Sequence, residues 1–284
     1  MVTTIFITGS TGGIGNAIAR RFAKPNTRLI LHSHQKPAHP NTPALSEWPT
    51  LRADFADPNA AEMLYQQLFE LTDHVDIFVN AAGLDLMKPD IAEQSFGQKL
   101  LTILQTDVCT PIMLGKKIGK RMQERGQGVL FFFGWAGVDY GWPGETAQLY
   151  GAAKGALLGF CRSLSEDLAT HTRCGEGLAS VSAPHHSLHS LSTHSISNQS
   201  NVASPNVLVR CLSLGWIKTR WGEKLSAELE QHYASDSRRN RWGTAEEVAA
   251  AVEFLTSEES RYLDGIGLRL DGEKRSRASE NVGA

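Results

Sequence analysis

No hydrophobic run in this chain approaches the ~20 consecutive apolar residues that a membrane-spanning helix needs. The longest, around Val129 to Trp135, is far shorter. No charged segment followed by an apolar stretch opens the chain, because Met1-Val2-Thr3 runs straight into a strand pattern. A protein with no membrane partner, in the cytoplasm, is therefore expected. Cysteine is scarce: Cys109, Cys161, Cys174 and Cys211 are scattered without CxxC spacing, the pattern of reduced thiols rather than a disulfide framework. Charge of one sign is not in excess either. With 28 Lys and Arg against 30 Asp and Glu, the formal net charge is -2, and no basic stripe offers a footprint for nucleic acid. What the chain does have is 284 residues that are 41% hydrophobic, enough for the core of one large globular domain, or at most two.

Short apolar runs alternate with helical periods along most of the sequence. Thr4 to Thr8, Arg28 to His32, Thr50 to Ala53, Val75 to Val79, Gly128 to Phe133, Val207 to Leu212 and Gly267 to Leu270 read as seven strands. Between them lie helical stretches at about 14–23, 59–71, 96–125 (crossed by Pro111), 149–169, 222–234 and 245–256. In the second of these, Met63, Leu64, Leu68 and Leu71 form the apolar side. Continuous apolar strands separated by helices predict an α/β fold: one doubly wound Rossmann-type domain over 1–273, with a seven-stranded parallel sheet covered on both faces.

Residues 171–205 break the pattern. They are rich in Ser and His and aperiodic, and are expected to form a flexible insertion before the sixth strand. Its histidines, His171, His185, His186, His189 and His194, are framed by no carboxylate or cysteine at a fixed spacing, so no metal site is expected. Asn198-Gln199-Ser200 has the form of a glycosylation triplet, but no secretory signal gives it meaning. The polar tail 274–284 is expected to be disordered.

Thr8-Gly9-Ser10-Thr11-Gly12-Gly13-Ile14-Gly15 stands after the first strand and opens the first helix. Glycines there allow a tight turn and close approach to a pyrophosphate, and the helix N-terminus offers it free N–H groups and a positive dipole end. This loop resembles the TGxxxGxG signature of the short-chain dehydrogenase/reductase family. Asn80-Ala81-Ala82-Gly83 is similar to that family's NNAG element, and Tyr150 with Lys154 to its YxxxK pair. Leu214-Gly215-Trp216-Ile217-Lys218-Thr219 resembles the PG-containing turn after strand six, with Leu214 in place of proline. Arg241 to Ala249 and Leu270-Asp271-Gly272 are similarly placed. The resemblance spans nearly the whole chain outside the insertion and the tail.

The resemblance implies a nicotinamide cofactor held by Gly9, Ser10, Thr11, Gly13, Ile14, Asn80, Ala81, Ala82, Gly83, Gly215, Ile217 and Thr219, with Tyr150 and Lys154 at its ribose. Asp54 and Phe55 match the pair that contacts the adenine. An NAD enzyme of this fold usually carries a carboxylate at the end of strand two. Here the stretch is His32-Ser33-His34-Gln35-Lys36, with Ser33 and His34 where a 2′-phosphate would lie. NADP(H) is therefore expected, with NAD as the alternative. A polar surface turn is the plain reading of the same residues.

The resemblance further implies that Tyr150 is the general acid or base, its phenol drawn towards neutrality by Lys154 one helical turn away together with the oxidised nicotinamide. Two neighbours depart from the family pattern. Phe133 and Gly134 stand where two serines are usual, and Asp107 stands where Asn is usual, an acceptor without the amide donor. No Ser or Thr between Phe131 and Pro143 restores the hydroxyl, which leaves Asp139 and Tyr140 as candidates to reach inwards. Three functions stay open: a reductase acting on a carbonyl or C=N group, a catalytically silent cofactor-binding member, or a related dehydratase or epimerase. Leu84, Leu86, Trp135, Tyr140, Trp142, Trp216 and Trp221 fall on loops at the carboxyl ends of strands and suggest a flat or apolar small-molecule substrate, or contacts between subunits. In the family the two long helices pair between subunits. Ile103, Leu114, Leu157 and Phe160 on them suggest a homodimer or homotetramer.

Overall fold

The computed structural model describes residues 2–34, 43–170, 207–219, 225 and 227–273. The Ser/His-rich segment, the polar tail, Gln35, Lys36 and Trp221 lie outside these residues. In chain order the elements are β1 (Thr3–Thr8), α1 (Gly13–Phe22), β2 (Thr27–Ser33), α2 (Pro43–Ser46), β3 (Thr50–Arg52), α3 (Ala60–Leu71) and β4 (Ile77–Asn80). Then come α4 (Pro89–Ala92), α5 (Phe96–Leu104), a π-helical turn Gln105–Cys109, α6 (Thr110–Arg125), β5 (Gly128–Trp135), α7 (Gly137–Tyr140) and α8 (Glu145–Thr170). β6 (Val207–Leu214), β7 (Ile217–Lys218), α9 (Ala227–Ser235), β8 (Gly243–Thr244), α10 (Ala245–Leu255) and β9 (Ile266–Leu270) complete the described fold.

Seven strands form one parallel sheet in the order β3-β2-β1-β4-β5-β6-β9, while β7 and β8 pair separately. The α/β reading and all seven strands therefore hold. Strand order reverses between β1 and β4, and in such sheets the crevice beyond the carboxyl ends at that point is where ligands bind. Both faces are covered. Phe6, Phe78, Leu130 and Phe132 pack beneath α3, α6 and α8, and Ile5, Ile7, Val79 and Phe131 pack beneath α1 and α10. Burial on both sides is why the strands carry apolar residues without alternation. Within β6, Arg210 is buried, yet its guanidinium donates to the carbonyls of Leu255, Ser260 and Leu263, one bond from each nitrogen, where α10 ends.

Three sequence readings need correction. The helix expected from 96 to 125 is two helices joined by the π turn. Pro111 has no N–H to donate to the carbonyl of Asp107, so regular α-helical bonding is denied there. Met63 and Leu71 are on the exposed side of α3, whose buried residues are Ala60, Ala61, Leu64 and Leu68. Ile103, Leu114 and Leu157 are fully buried within one chain, and Phe160 packs against that core. They are therefore no argument for a second subunit. The apolar side chains these helices do expose are Phe96, Leu101 and Met113. No helix of the described residues is long and apolar enough to cross a membrane.

Candidate active site

The glycine loop leaves β1 at the strand-order reversal. Gly9 has φ +64°, and a Cβ there would lie 2.6 Å from the Ala82 nitrogen, so only glycine lets the loop pass this close to Asn80–Gly83. Thr8 ties the two loops together: its hydroxyl donates to Asn80 Oδ1 at 2.9 Å and accepts from the Ala82 N–H. Gly12 caps α1 without a side-chain bond, and the first turn carries no acidic residue. Backbone amides and the positive helix end therefore face the crevice beside a loop that side chains would fill, an arrangement that fits a dinucleotide pyrophosphate. Gly13 and Ile14 begin this helix after Thr11, and Thr219, just past β7, packs on Gly13 at 3.0 Å from a would-be Cβ.

His32 joins this loop to the next one, a role its sequence position did not reveal. Its Nδ1 accepts the Gly9 N–H at 3.3 Å, its Nε2 lies 3.1 Å from the Ala53 carbonyl, and its ring stacks on Phe55 at 4.8 Å. Its own carbonyl accepts both the N–H and the hydroxyl of Ser10. Burial holds the ring's pKa down at about 4, against the opposing hydrogen bond to Ala53, so it is neutral and bridges donor to acceptor. Beside it, Ser33 is buried at the end of β2, and His34 is exposed with Nε2 3.2 Å from Asp54 Oδ2.

Tyr150 and Lys154 lie on α8, and the π turn brings Asp107 against them. Asp107 is 1% exposed. Its Oδ2 lies 2.9 Å from Lys154 Nζ, and its Oδ1 accepts from the Leu84 N–H and the Thr106 hydroxyl. The Tyr150 hydroxyl donates to the Leu84 carbonyl at 2.7 Å. From the protein's own groups, Lys154 alone does not draw the phenol towards neutrality. Burial first, then the carboxylates of Asp107 and Asp85, push the Tyr150 pKa above the ordinary phenol range, and the ammonium is already claimed by Asp107. Asp139 does not join the group: its side chain is 42% exposed and lies 3.6 Å from Arg269.

Trp135 connects the tyrosine to an aromatic recess, with ring centroids 6.4 Å from Tyr150. Tyr140, Trp142, Trp216 and Tyr233 wall the recess with Trp135, and Asp236, Arg241 and Asp271 border it. Trp216 stacks on Tyr233 at 4.2 Å and meets Trp142 and Trp242 at 5.8 and 5.6 Å. Gly215 lets the turn after β6 lie against Asp271, whose Cα would be 2.7 Å from a Cβ. The sequence reading thus found Trp135, Tyr140, Trp142 and Trp216 but missed Tyr233, which only the packing of α9 brings in.

A family model described as short chain dehydrogenase matches residues 3–174, and one described as enoyl-(acyl carrier protein) reductase matches residues 185–272. The chain is 25% identical over 282 residues to the 3-oxoacyl-(acyl-carrier-protein) reductase of Buchnera aphidicola, covering 95% of this chain and 96% of that protein. It is 25% identical over 268 residues to the reductase of the same name from Haemophilus influenzae, covering 94% and 95%. Nodulation protein G of a Rhizobium species is 24% identical over 278 residues, covering 94% of each.

Proposed function

The chain belongs to the short-chain dehydrogenase/reductase family of oxidoreductases, and on that premise we propose that it is an NADP(H)-dependent enzyme reducing, or in reverse forming, a carbonyl or C=N group of a small apolar or aromatic substrate. The observation that carries this reading is the convergence of Tyr150, Lys154 and the aromatic recess beside the glycine loop where strand order reverses. When bound, the nicotinamide cofactor supplies a hydride. Gly9, Ser10, Thr11, Gly13 and Ile14 hold its pyrophosphate, and Asp54 and Phe55 its adenine. Asn80 to Gly83, Gly215, Ile217 and Thr219 line the crevice between. Ser33 and His34 leave room and donors for a 2′-phosphate where an acid would repel one.

Tyr150 gives its proton to the substrate oxygen, which takes the place of the Leu84 carbonyl as partner of the phenol. Lys154 then balances the phenolate, and Asp107 holds that ammonium in place from below. The relatives' names contain a 3-oxoacyl group, which supports a carbonyl as the acceptor.

The test is NADPH oxidation with a carbonyl panel, run on the unmodified protein and on Tyr150→Phe. Loss of the only proton at that ring should lower kcat by ~10²–10⁴-fold and leave cofactor affinity almost unchanged. Lys154→Ala should weaken both, and Asp139→Ala neither. Full turnover by Tyr150→Phe would overturn the mechanism. The second reading, a cofactor-binding protein without turnover, draws on the Asp107–Lys154 pair, which leaves the phenol a weak acid. Tight NADPH binding with no reduction of any carbonyl distinguishes it.

A further inference from the structure

Where β5 ends, Gly134 offers no side chain, but the space is not vacant. Gly134 lies directly beside Ser213 of β6 in the parallel register. A Cβ built on Gly134 would meet Ser213 Oγ at 2.8 Å and Cys211 Sγ at 3.5 Å. The Ser213 hydroxyl therefore leans across the neighbouring strand into the place where a residue-134 side chain would begin. Ser213 is 3% exposed.

The hydroxyl also faces the right helix. Side chains alternate along a strand, so Ser213 shares a face with Cys211, whose thiol meets that of Cys161 on α8. The Cys211 thiol is held below its ordinary range by that hydrogen bond first and, among the charges, by the Lys154 ammonium. From Cys211 to Ser213 the strand rises ~6.6 Å towards its carboxyl end. From Cys161 back to Lys154 the helix climbs ~10 Å in the same direction, because a crossover helix runs antiparallel to its strands. Ser213 and Lys154 thus both lie on the carboxyl side of the Cys161–Cys211 contact, towards the end of the sheet where Tyr150 stands.

We infer that Ser213 supplies from β6 the hydroxyl that β5 lacks, and that it donates, alongside Tyr150, a hydrogen bond to the oxygen of the substrate carbonyl. This rests on the reductase reading above. The hydroxyl keeps its proton throughout: Tyr150 Oη–H breaks, the new O–H forms on the substrate, and Ser213 only shares the developing negative charge. Removing one such donor typically costs ~10²-fold in kcat.

The experiment uses full-length protein with NADPH and two ketone probes, ethyl acetoacetate and 1-tetralone. Ser213→Ala should lower kcat by about 10²-fold while the NADPH dissociation constant, measured by fluorescence titration, stays within about twofold. Ser213→Thr, which keeps the hydroxyl, should retain most activity. Gly134→Ala keeps Ser213 but puts a methyl where its Oγ lies, and should lose as much as Ser213→Ala. Gly134→Ser combined with Ser213→Ala moves the hydroxyl back to β5 and should recover at least ~10-fold of the loss. If Tyr150→Phe is crippled while Ser213→Ala is not, the inference fails and the reductase reading stands. If the unmodified protein binds NADPH but reduces neither ketone, both fail.

Discussion

Lys154→Met is the perturbation whose size the structure fixes best. Asp107 is 1% exposed and Lys154 12%, and their charged atoms are 2.9 Å apart. At an effective dielectric constant of about 20 the gross attraction is ~6 kcal/mol. Desolvation offsets much of it, so the pair itself adds little net stability. Removing one partner is a different matter, because it strands a buried carboxylate, at a typical cost of ~3–5 kcal/mol. Asp107 keeps the Leu84 N–H and the Thr106 hydroxyl as donors, which places the expected loss near the lower end, about 3 kcal/mol. With a Tm change of ~2–4 °C per kcal/mol for a chain of this order of size, melting should fall by about 6–12 °C. Asp107→Asn added to Lys154→Met removes the stranded charge and should restore stability to within ~1 kcal/mol of the original. Urea unfolding followed by tryptophan fluorescence, without cofactor at neutral pH, measures all three proteins. If Lys154→Met loses less than ~1 kcal/mol and the second substitution returns nothing, the pair is not the buried, desolvated contact described here.

NADPH should bind at least several-fold tighter than NADH, and Ser33→Asp should reverse that order. Calorimetric titration decides, with circular dichroism to verify that the fold survives a carboxylate at this buried position. His32 makes stability depend on acid. Its folded pKa of about 4 lies below the ordinary 6.5, so between those values the unfolded chain takes up a proton that the native protein refuses. Stability is full above pH 6.5 and falls as pH drops towards 4, by up to ~3 kcal/mol. His32→Gln should flatten that part of the curve, and an unchanged slope would show that the ring is not held neutral. Phe96, Leu101 (71% exposed) and Met113 are exposed apolar side chains on α5 and α6, where contact with a second copy is expected. A dimer or tetramer is expected by light scattering, weakened by Leu101→Asp, and a monomer at micromolar concentration would count against it.

The strands were legible because a parallel sheet covered on both faces needs apolar residues at nearly every position, as in Phe131-Phe132-Phe133. The glycine loop and the Tyr150–Lys154 pair were legible as motifs because each depends on local spacing, a turn and a helix period. What escaped was set by contacts between distant elements. Pro111 was visible within the helix expected over 96–125, but nothing in the sequence says that the chain answers with a π turn that carries Asp107 onto Lys154. Asp139, close to Tyr150 in sequence, turns instead to Arg269 on β9. His32 reads as one polar residue in a polar turn, yet its ring is buried between two loops. In each case the partner comes from a remote part of the chain.

On the reductase reading, the two departures that the resemblance implies, at Gly134 and Asp107, are physically connected. A phenol whose neighbouring ammonium is committed to Asp107 is a weaker acid, and a weaker acid releases its proton later along the reaction coordinate. More negative charge then gathers on the substrate oxygen before it is quenched. A second, fixed donor gains importance as that charge grows, since a preorganised hydrogen bond acts most strongly on charge that appears only in the transition state. Such a donor is defined by where its hydroxyl lies and not by which strand carries it. In a parallel sheet adjacent residues in register point the same way, ~4.8 Å apart, so a short side chain on β6 can lean into the space above a glycine on β5. Gly134 is then the condition for the Ser213 hydroxyl to reach that place, and a comparison along β5 alone would see only the missing serine.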